Sequence, residues 1–225
     1  MQEAPPVRPR DAEATRDRIL TAARDEFALA GLGGARIDKI AAAADANKQM
    51  IYHYFGSKDG LFTAALEAEY AQFRAAEAAL DLERLDPVEA LTQLVTFTWQ
   101  YYLDCPGFIR LVNSANLHQA RHLALSAEFA QINRPFLIRM RKIIARGVSA
   151  GQFRGDIDPV QLQITIAGVG YHYLTNRFTG RIVYERDLMS ARALRERLAF
   201  NVKTILRTVC MPHTLARMER VACTA

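Results

Sequence analysis

Long apolar runs are missing from this sequence of 225 residues. No stretch of about 18 apolar residues occurs, so we expect no membrane-spanning helix. The first ten residues are polar and rich in proline, without the apolar segment of a secretory signal. We therefore expect a cytoplasmic protein that makes no contact with a membrane.

Cysteine and the common catalytic motifs are also scarce. The three cysteines, Cys105, Cys210 and Cys223, show no CxxC spacing, so we expect reduced thiols rather than a disulfide framework. The sequence contains no glycine-rich phosphate loop, no nucleophile elbow and no metalloprotease helix. These absences predict a protein that is not an enzyme and that uses no cofactor.

A metal site has only a partial signal. His118 and His122 are four residues apart, a spacing that can place two imidazoles on one face of a helix. The sequence places no third ligand beside them. Histidines at the surface or at the rim of a pocket are therefore the favoured interpretation, and no metal is predicted.

Strand signals are nearly absent, whereas helical periodicity runs through almost the whole chain. The pattern predicts an all-α fold of about nine helices, the first beginning at Thr15, with a kink or break at Pro135. The expected organisation is a flexible N-terminal arm, a small N-terminal domain, a larger helical bundle and a weakly patterned, disordered tail: 1–14, 15–62, 63–211 and 212–225.

The charge is basic overall but not at the N-terminus. A net charge of +5 and a pI of about 9.3 permit nucleic-acid binding without establishing it. Residues 1–60 contain nine Lys and Arg against nine Asp and Glu, so their net charge is zero. If this region binds DNA, it must do so through the local placement of cations. Four arginines at its start could form a phosphate-contacting arm, but the pattern favours a solvated, frayed chain end at least as much: Arg8, Arg10, Arg16 and Arg18.

Two short helices joined by a tight turn are the clearest motif in the chain. The spacing predicts helices over 37–44 and 48–55, which is typical of a helix-turn-helix. An eight-residue helix is marginal by itself, so the second helix must pack Ile51, Tyr54 and Phe55 against its neighbours. Its other face then presents polar, cationic and aromatic side chains, with Met50 at the boundary: Lys48, Gln49, Tyr52 and His53.

That exposed face suits the major groove of DNA. Lys48 and Gln49 lie in the first turn, where recognition helices meet base edges. Glutamine can pair with adenine through two hydrogen bonds, and lysine can bind guanine or a phosphate. Met50 can touch a thymine methyl group, and Tyr52 can reach phosphate oxygens, as can His53. Lys58, at the start of the fourth helix, joins free backbone N–H groups that favour an anion.

Residues 15–62, TRDRILTAARDEFALAGLGGARIDKIAAAADANKQMIYHYFGSKDGLF, resemble the N-terminal domain of the TetR family of one-component transcriptional regulators. The resemblance includes the initial helix, the glycine break, the IxxIA element and the YHYFxSKxxLF block. It implies a homodimer that binds double-stranded operator DNA through its third helix and is released by a small molecule bound in the C-terminal domain. Matched by position, Lys48 and Gln49 face the groove, while the remaining matched residues hold the DNA backbone: Tyr52, His53 and Lys58.

The chain departs from the family pattern at two points. Many relatives have threonine at the start of the second helix, where this chain has Arg36, so a longer cation replaces a small phosphate contact. The usual Gly-Val-Ser turn is Asp45-Ala46-Asn47 here. Asn47 can still cap the third helix, and an Asp at 45 tolerates a left-handed conformation better than most residues.

Aromatic side chains concentrate in the middle of the larger domain, interleaved with Asn and His. A ligand cavity between helices needs apolar walls and a few oriented polar groups, although ordinary helical core has a similar composition. The pattern favours a planar or apolar organic effector. Trp99 is the best single candidate for lining such a cavity. The full set of candidate lining residues is Trp99, Tyr102, Phe108, Asn113, His118, Tyr171 and Asn176.

The last two predicted helices, the eighth and ninth, are the candidates for the dimer interface, since Gly168 and Gly170 permit close backbone approach and the ninth helix has an apolar stripe. The leading hypothesis is a ligand-responsive repressor bound to a palindromic operator. One alternative is a helical small-molecule binding protein or enzyme whose short helices are only structural. Another is a TetR-like regulator controlled by a partner protein.

Overall fold

The computed structural model describes residues 9–124 and 126–222. Within these ranges the chain forms eleven α-helices and no strand beyond an isolated bridge between Phe153 and Cys210. The helices are α1 Pro9–Gly34, α2 Ile37–Ala43, α3 Lys48–Phe55, α4 Lys58–Ala78, α5 Pro87–Asp104, α6 Pro106–Leu117, α7 Ala127–Ser149, α8 Pro159–Thr175, α9 Arg177–Val183, α10 Ala191–Val209 and α11 Pro212–Ala222. The predicted all-α fold is thus confirmed.

The helices belong to two compact units. The first consists of Pro106–Ile132 and the described part of Met1–Gln72, and the second of Phe73–Cys105 and the described part of Asn133–Ala225. In the first unit, α6 packs along α1, and the Leu32 N–H donates to Ser114 Oγ at 2.9 Å. Phe27 and Phe62 meet edge to face at its centre, 5.0 Å apart. Both rings are fully buried.

The second unit is built around α5, which packs against α8 and α10. Gly170 allows α8 to approach closely, because a Cβ at this position would lie 3.4 Å from the Tyr102 ring and 3.6 Å from the Trp99 ring. Gly170 therefore serves packing within one protomer. Gly168 is exposed and has open space beside it.

Several helix boundaries differ from the sequence-based expectation. The first helix begins at Pro9 rather than Thr15, since Pro suits a first helical position and Asp11 adds an acid to the first turn. The helix α7 continues through Pro135, which lies on its exposed side, where solvent can bind the carbonyl that proline leaves without a donor.

Two helices were not expected, which raises the number from about nine to eleven in the described ranges. One is the seven-residue α9, which follows α8 after a single residue. The other is α11, which forms where the sequence predicts a disordered tail. Leu215 and Met218 of α11 pack against the core of the second unit, and this tertiary contact stabilises a weakly patterned segment. The expected flexible arm lies mostly outside the described residues.

None of the helices in the described ranges combines the length and apolar character needed to cross a membrane. Cys105 and Cys210 are in the thiol form, as predicted for them, and Cys223 lies outside the described residues. Burial raises the pKa of Cys210 to about 11, and the nearby Asp86 carboxylate adds to this effect.

Candidate nucleic-acid interface

The turn between α2 and α3 has the geometry that its sequence predicts. Asp45 adopts a positive φ of 48°, and the Ala46 N–H donates to the Ala41 carbonyl at 2.9 Å. The Asn47 side chain then accepts a hydrogen bond from the Met50 N–H at 2.8 Å, which confirms the predicted cap. This cap fixes the start of α3, where Lys48 and Gln49 lie.

One face of α3 is anchored in the first unit. Ile51 is fully buried, and Tyr54 and Phe55 pack against the same core while remaining partly exposed. Two arginines of α1 support the motif from behind. The Arg16 guanidinium lies over the Phe55 ring, 5.2 Å from its centre, and Arg18 Nε donates to the Ala44 carbonyl at 3.2 Å.

These contacts give Arg16 and Arg18 a structural role that their position near the chain start did not indicate. Arg18 also donates to the Thr15 hydroxyl, 3.1 Å away. Nothing in the sequence spacing signals the contacts with Phe55 and Ala44, since each arginine is more than 25 residues from its partner. Arg8 and the side chain of Arg10 lie outside the described residues.

The opposite face of α3 is exposed. It carries the predicted groove-facing and backbone-contacting side chains, Lys48, Gln49, Tyr52 and His53, with Tyr52 47% exposed. Met50 is half-buried and packs partly against the core of the first unit, in keeping with its expected boundary position. The structure therefore brings four of the seven predicted DNA-binding side chains onto one accessible helical face.

Lys48 has a partner that the sequence analysis missed. Its Nζ forms a short ion pair with the Asp38 carboxylate of α2. The Arg36 guanidinium lies 3.9 Å from the same carboxylate. The hydrogen bond from Lys48 holds the pKa of Asp38 below its ordinary value, and the positive charges of Lys48 and Arg36 act in the same direction.

Arg36 and Lys58 lie at the edges of the motif. Arg36 precedes α2 and provides no side-chain cap, but its N–H donates to Glu26 Oε1 at 3.0 Å. Its guanidinium remains largely exposed. Lys58, at the start of α4, donates to the Gly33 carbonyl at 3.4 Å. The Ser57 hydroxyl accepts from the Gly60 N–H at 2.9 Å and caps that helix.

Comparison with known proteins identifies the architecture. A family model described as "Tetracyclin repressor-like, C-terminal domain" matches residues 87–205, and one described as "Bacterial regulatory proteins, tetR family" matches residues 19–65. The HTH-type transcriptional repressor NicS of Pseudomonas putida is 39% identical over 201 residues, covering 89% of this chain and 95% of the relative. The chain belongs to the TetR family. It is therefore a DNA-binding transcriptional regulator, as the resemblance of residues 15–62 implied.

Other known proteins match this chain over different lengths. The HTH-type transcriptional repressor SCO4008 of Streptomyces coelicolor is 60% identical over 58 residues, but these make up only 26% of this chain and 30% of the relative. A TetR family transcription regulator from Marinobacter aquaeolei has the same fold, with a TM-score of 0.67 at 20% identity, covering 90% of this chain and 99% of the other.

The seven candidate effector-binding residues are divided between the two units. In the second unit, Trp99 and Tyr102 are nearly fully buried, and Trp99 meets the Tyr173 ring edge to face at 5.6 Å. Tyr171 is half-buried in α8, and Asn176 ends that helix, its side-chain amide donating to the His172 carbonyl at 3.0 Å. The first unit contains the other three: Phe108, Asn113 and His118.

His118 and His122 lie close together, with ring centres 6.2 Å apart. The His122 side chain is 4% exposed, and its Nδ1 lies 3.8 Å from the Asp59 carboxylate. Burial lowers the pKa of His122, although Asp59 opposes the shift. Across the described ranges, no group of three or more His, Cys, Asp or Glu side chains is arranged to hold a metal ion.

Proposed function

We propose that this chain is a homodimeric repressor that binds a palindromic operator and is released by a small organic effector. The observation that carries the proposal is the arrangement of α3, which is capped by Asn47, buried along the Ile51 side and exposed along the Lys48 and Gln49 side. A helix held in this way can enter a major groove without unfolding any part of the core.

Each exposed side chain has a proposed role at the operator. Gln49 pairs with adenine, Lys48 binds guanine or a phosphate, and Met50 contacts a thymine methyl group from the edge of the face. The remaining four hold phosphates and fix the position of the helix on the duplex: Arg36, Tyr52, His53 and Lys58. Because Lys48 is paired with Asp38 in the free protein, DNA competes with the Asp38 carboxylate for this cation.

The proposed dimer uses α8 and α10, which correspond to the eighth and ninth helices predicted from the sequence. Ile164 of α8 is 58% exposed and Phe200 of α10 is 59% exposed, so both helices present large apolar side chains to solvent. Gly168 lies on the exposed side of α8 and allows a second helix to approach closely. Twofold symmetry of such a dimer matches two operator half-sites.

The proposed regulation is a shift between two dimer geometries. An effector that binds one geometry more tightly favours it, and repression ends if the two α3 helices then no longer fit successive major grooves. The effector-lining residues predicted from the sequence remain part of this proposal, with Trp99 and Tyr102 the buried aromatic pair near Gly170. No chemical change of the effector is required.

Selection of bound duplexes from a random DNA pool tests the proposal. We expect an enriched inverted repeat whose affinity falls steeply with salt. Lys48→Ala and Gln49→Ala should each weaken binding to that repeat by about tenfold or more, with unchanged helix content. Lys142→Ala is the matched control, because it removes an exposed cation that pairs with Glu83 in the second unit. Wild-type affinity in both α3 variants would contradict the proposal.

A further inference from the structure

The helix α11 leaves an open cleft on each side of it in the second unit. The cleft toward α10, here called the α10 cleft, has a volume of about 600 Å³, and the one toward the first half of α5 has about 930 Å³. Thr96 and Met218 line both. None of the seven effector-lining residues predicted from the sequence lines either cleft, so this is a site that sequence reasoning did not reach.

The α10 cleft has an apolar floor. Three of its side chains follow one another at four-residue intervals along α10, namely Leu198, Val202 and Leu206, and α11 adds Leu215 and Met218. Phe200, by contrast, points to another side of α10, because it is offset by two residues from Leu198 and Val202. The floor of the cleft and the proposed dimer contact therefore occupy different faces of one helix.

The rim of the α10 cleft is cationic. Arg195, Lys203 and Arg207 line it, and no acidic side chain does so among the residues whose side chains are described. Among the residues whose side chains are described, no carboxylate oxygen lies within 4.0 Å of the Arg195 or Lys203 nitrogens. The larger cleft, toward the first half of α5, differs because Asp86 and Glu89 line it.

We infer that the α10 cleft binds an amphipathic anion, a molecule with an apolar body and one carboxylate. The apolar body lies along the floor, where it removes apolar surface of both partners from water. The carboxylate lies at the rim, where an arginine can offer two parallel N–H donors and a lysine a third charge-assisted bond. A volume of about 600 Å³ is within the ordinary range for ligand sites in proteins.

The helix α11 is suited to respond to such a ligand. Hydrogen bonds attach its N-terminal end, where the N–H of Met211, just before the helix, donates to the Gln152 carbonyl at 2.8 Å and the Thr214 hydroxyl donates to the same oxygen at 3.2 Å. Leu215 and Met218 pack against the core and also form a wall of the α10 cleft. A ligand in the cleft therefore contacts α11 directly. The regulatory consequence, but not binding itself, rests on the proposed effector-controlled function.

The test uses dodecanoate as the probe, below its aggregation concentration, with the full-length protein and isothermal titration calorimetry. We expect saturable binding of one dodecanoate for each protomer. Dodecyltrimethylammonium, with the same chain and the opposite charge, and acetate, with the same charge and no chain, should bind at least about tenfold more weakly.

Three variants test whether dodecanoate binds in the α10 cleft. Arg195→Gln combined with Lys203→Gln should weaken dodecanoate binding by about tenfold or more, since charge-assisted hydrogen bonds are lost. Ala199→Trp should also weaken it, because it fills the cleft from an exposed position without disturbing the core. Arg192→Gln is the matched control, as an exposed arginine of α10 outside the cleft. Circular dichroism and sedimentation of each variant verify that it is folded and unchanged in mass.

Several results would overturn the inference. They are the absence of saturable dodecanoate binding, equal binding of the cationic amphiphile, or undiminished binding by Ala199→Trp. A change in the number of subunits per assembly on adding dodecanoate, or in Ala199→Trp, would instead assign the cleft to a contact with a second copy of the chain. Affinity of ligand-free protein for the selected operator is measured on the same samples, so failure of the DNA-binding proposal is recorded separately from failure at the cleft.

Discussion

The substitution Asp38→Asn tests whether the ion pair with Asp38 limits the binding of Lys48, the cation at the start of α3, to DNA. In the free protein, the Asp38 carboxylate is paired with Lys48 and lies 3.9 Å from the Arg36 guanidinium. Asparagine keeps the shape of the side chain and removes its charge. We expect the variant to bind DNA of any sequence more tightly, because two cations are released from a competing anion and one repulsion with phosphate disappears.

The size of the effect follows from counterion release. A lysine that neutralises a phosphate steepens the log–log dependence of the binding constant on salt by about 0.9. Lys48 paired with Asp38 has little net charge to contribute, whereas Lys48 in the variant contributes fully. The slope should therefore steepen by about 0.9 for each subunit on the DNA. A fourfold rise in salt should then weaken DNA binding by the variant about 3.5-fold more than binding by wild type for each such contact.

Fluorescence anisotropy with a random-sequence duplex and with the selected operator, each at several salt concentrations, measures both slopes. Asp81→Asn is the control, since it removes one exposed negative charge that pairs with Arg84 in the second unit. The reasoning is refuted if Asp38→Asn keeps the wild-type slope and the wild-type affinity for random DNA. A control variant that reproduces the effect would refute it equally, because net charge alone would then explain the change.

Three further substitutions test the cap of α3, the burial of Ile51 and the ion pair between Arg74 and Glu77. Asn47→Ala should destabilise the first unit by about 1 kcal/mol and weaken operator binding, whereas Asn47→Ser should retain the cap, and equal thermal stability of the two would argue against this role. Ile51→Ala should cost about 2 to 5 kcal/mol in urea unfolding, because the side chain is fully buried, and a negligible loss would show that α3 is held otherwise. Arg74→Met should cost about 3 kcal/mol at neutral pH by leaving the buried Glu77 carboxylate without its partner. Burial already raises the pKa of Glu77, so the penalty is present above that raised pKa and should shrink as the pH falls to the ordinary range of glutamate, and a loss independent of pH would contradict the assignment.

The DNA-binding motif was predictable because its determinants are local. Asn47 caps a helix whose first N–H groups are only three residues away, and Ile51 is the apolar residue that an eight-residue helix must bury. The ion pair between Lys48 and Asp38 was not predictable in the same way. This ion pair depends on how α2 and α3 cross. A separation of ten residues in the sequence does not indicate how far apart the two side chains lie.

The second unit was harder to predict because its packing is tertiary. Aromatic side chains at helical spacing could line a cavity or fill a core, and in the structure Trp99 packs against Tyr173, while Tyr102 lies beside Gly170. The helix α11 is short, and in the structure Leu215 and Met218 pack against the core and stabilise it. The clefts beside α11 therefore could not be inferred from a segment that the sequence assigned to a tail.

The most direct test of the central claim, that the exposed face of α3 reads operator bases, is the affinity of Gln49→Ala for a panel of operators with single base-pair changes. We predict that wild type discriminates at one adenine position in each half-site by about 1 to 3 kcal/mol. The variant should lose discrimination at that position and keep it at all the others. Discrimination that is unchanged at every position would contradict the account.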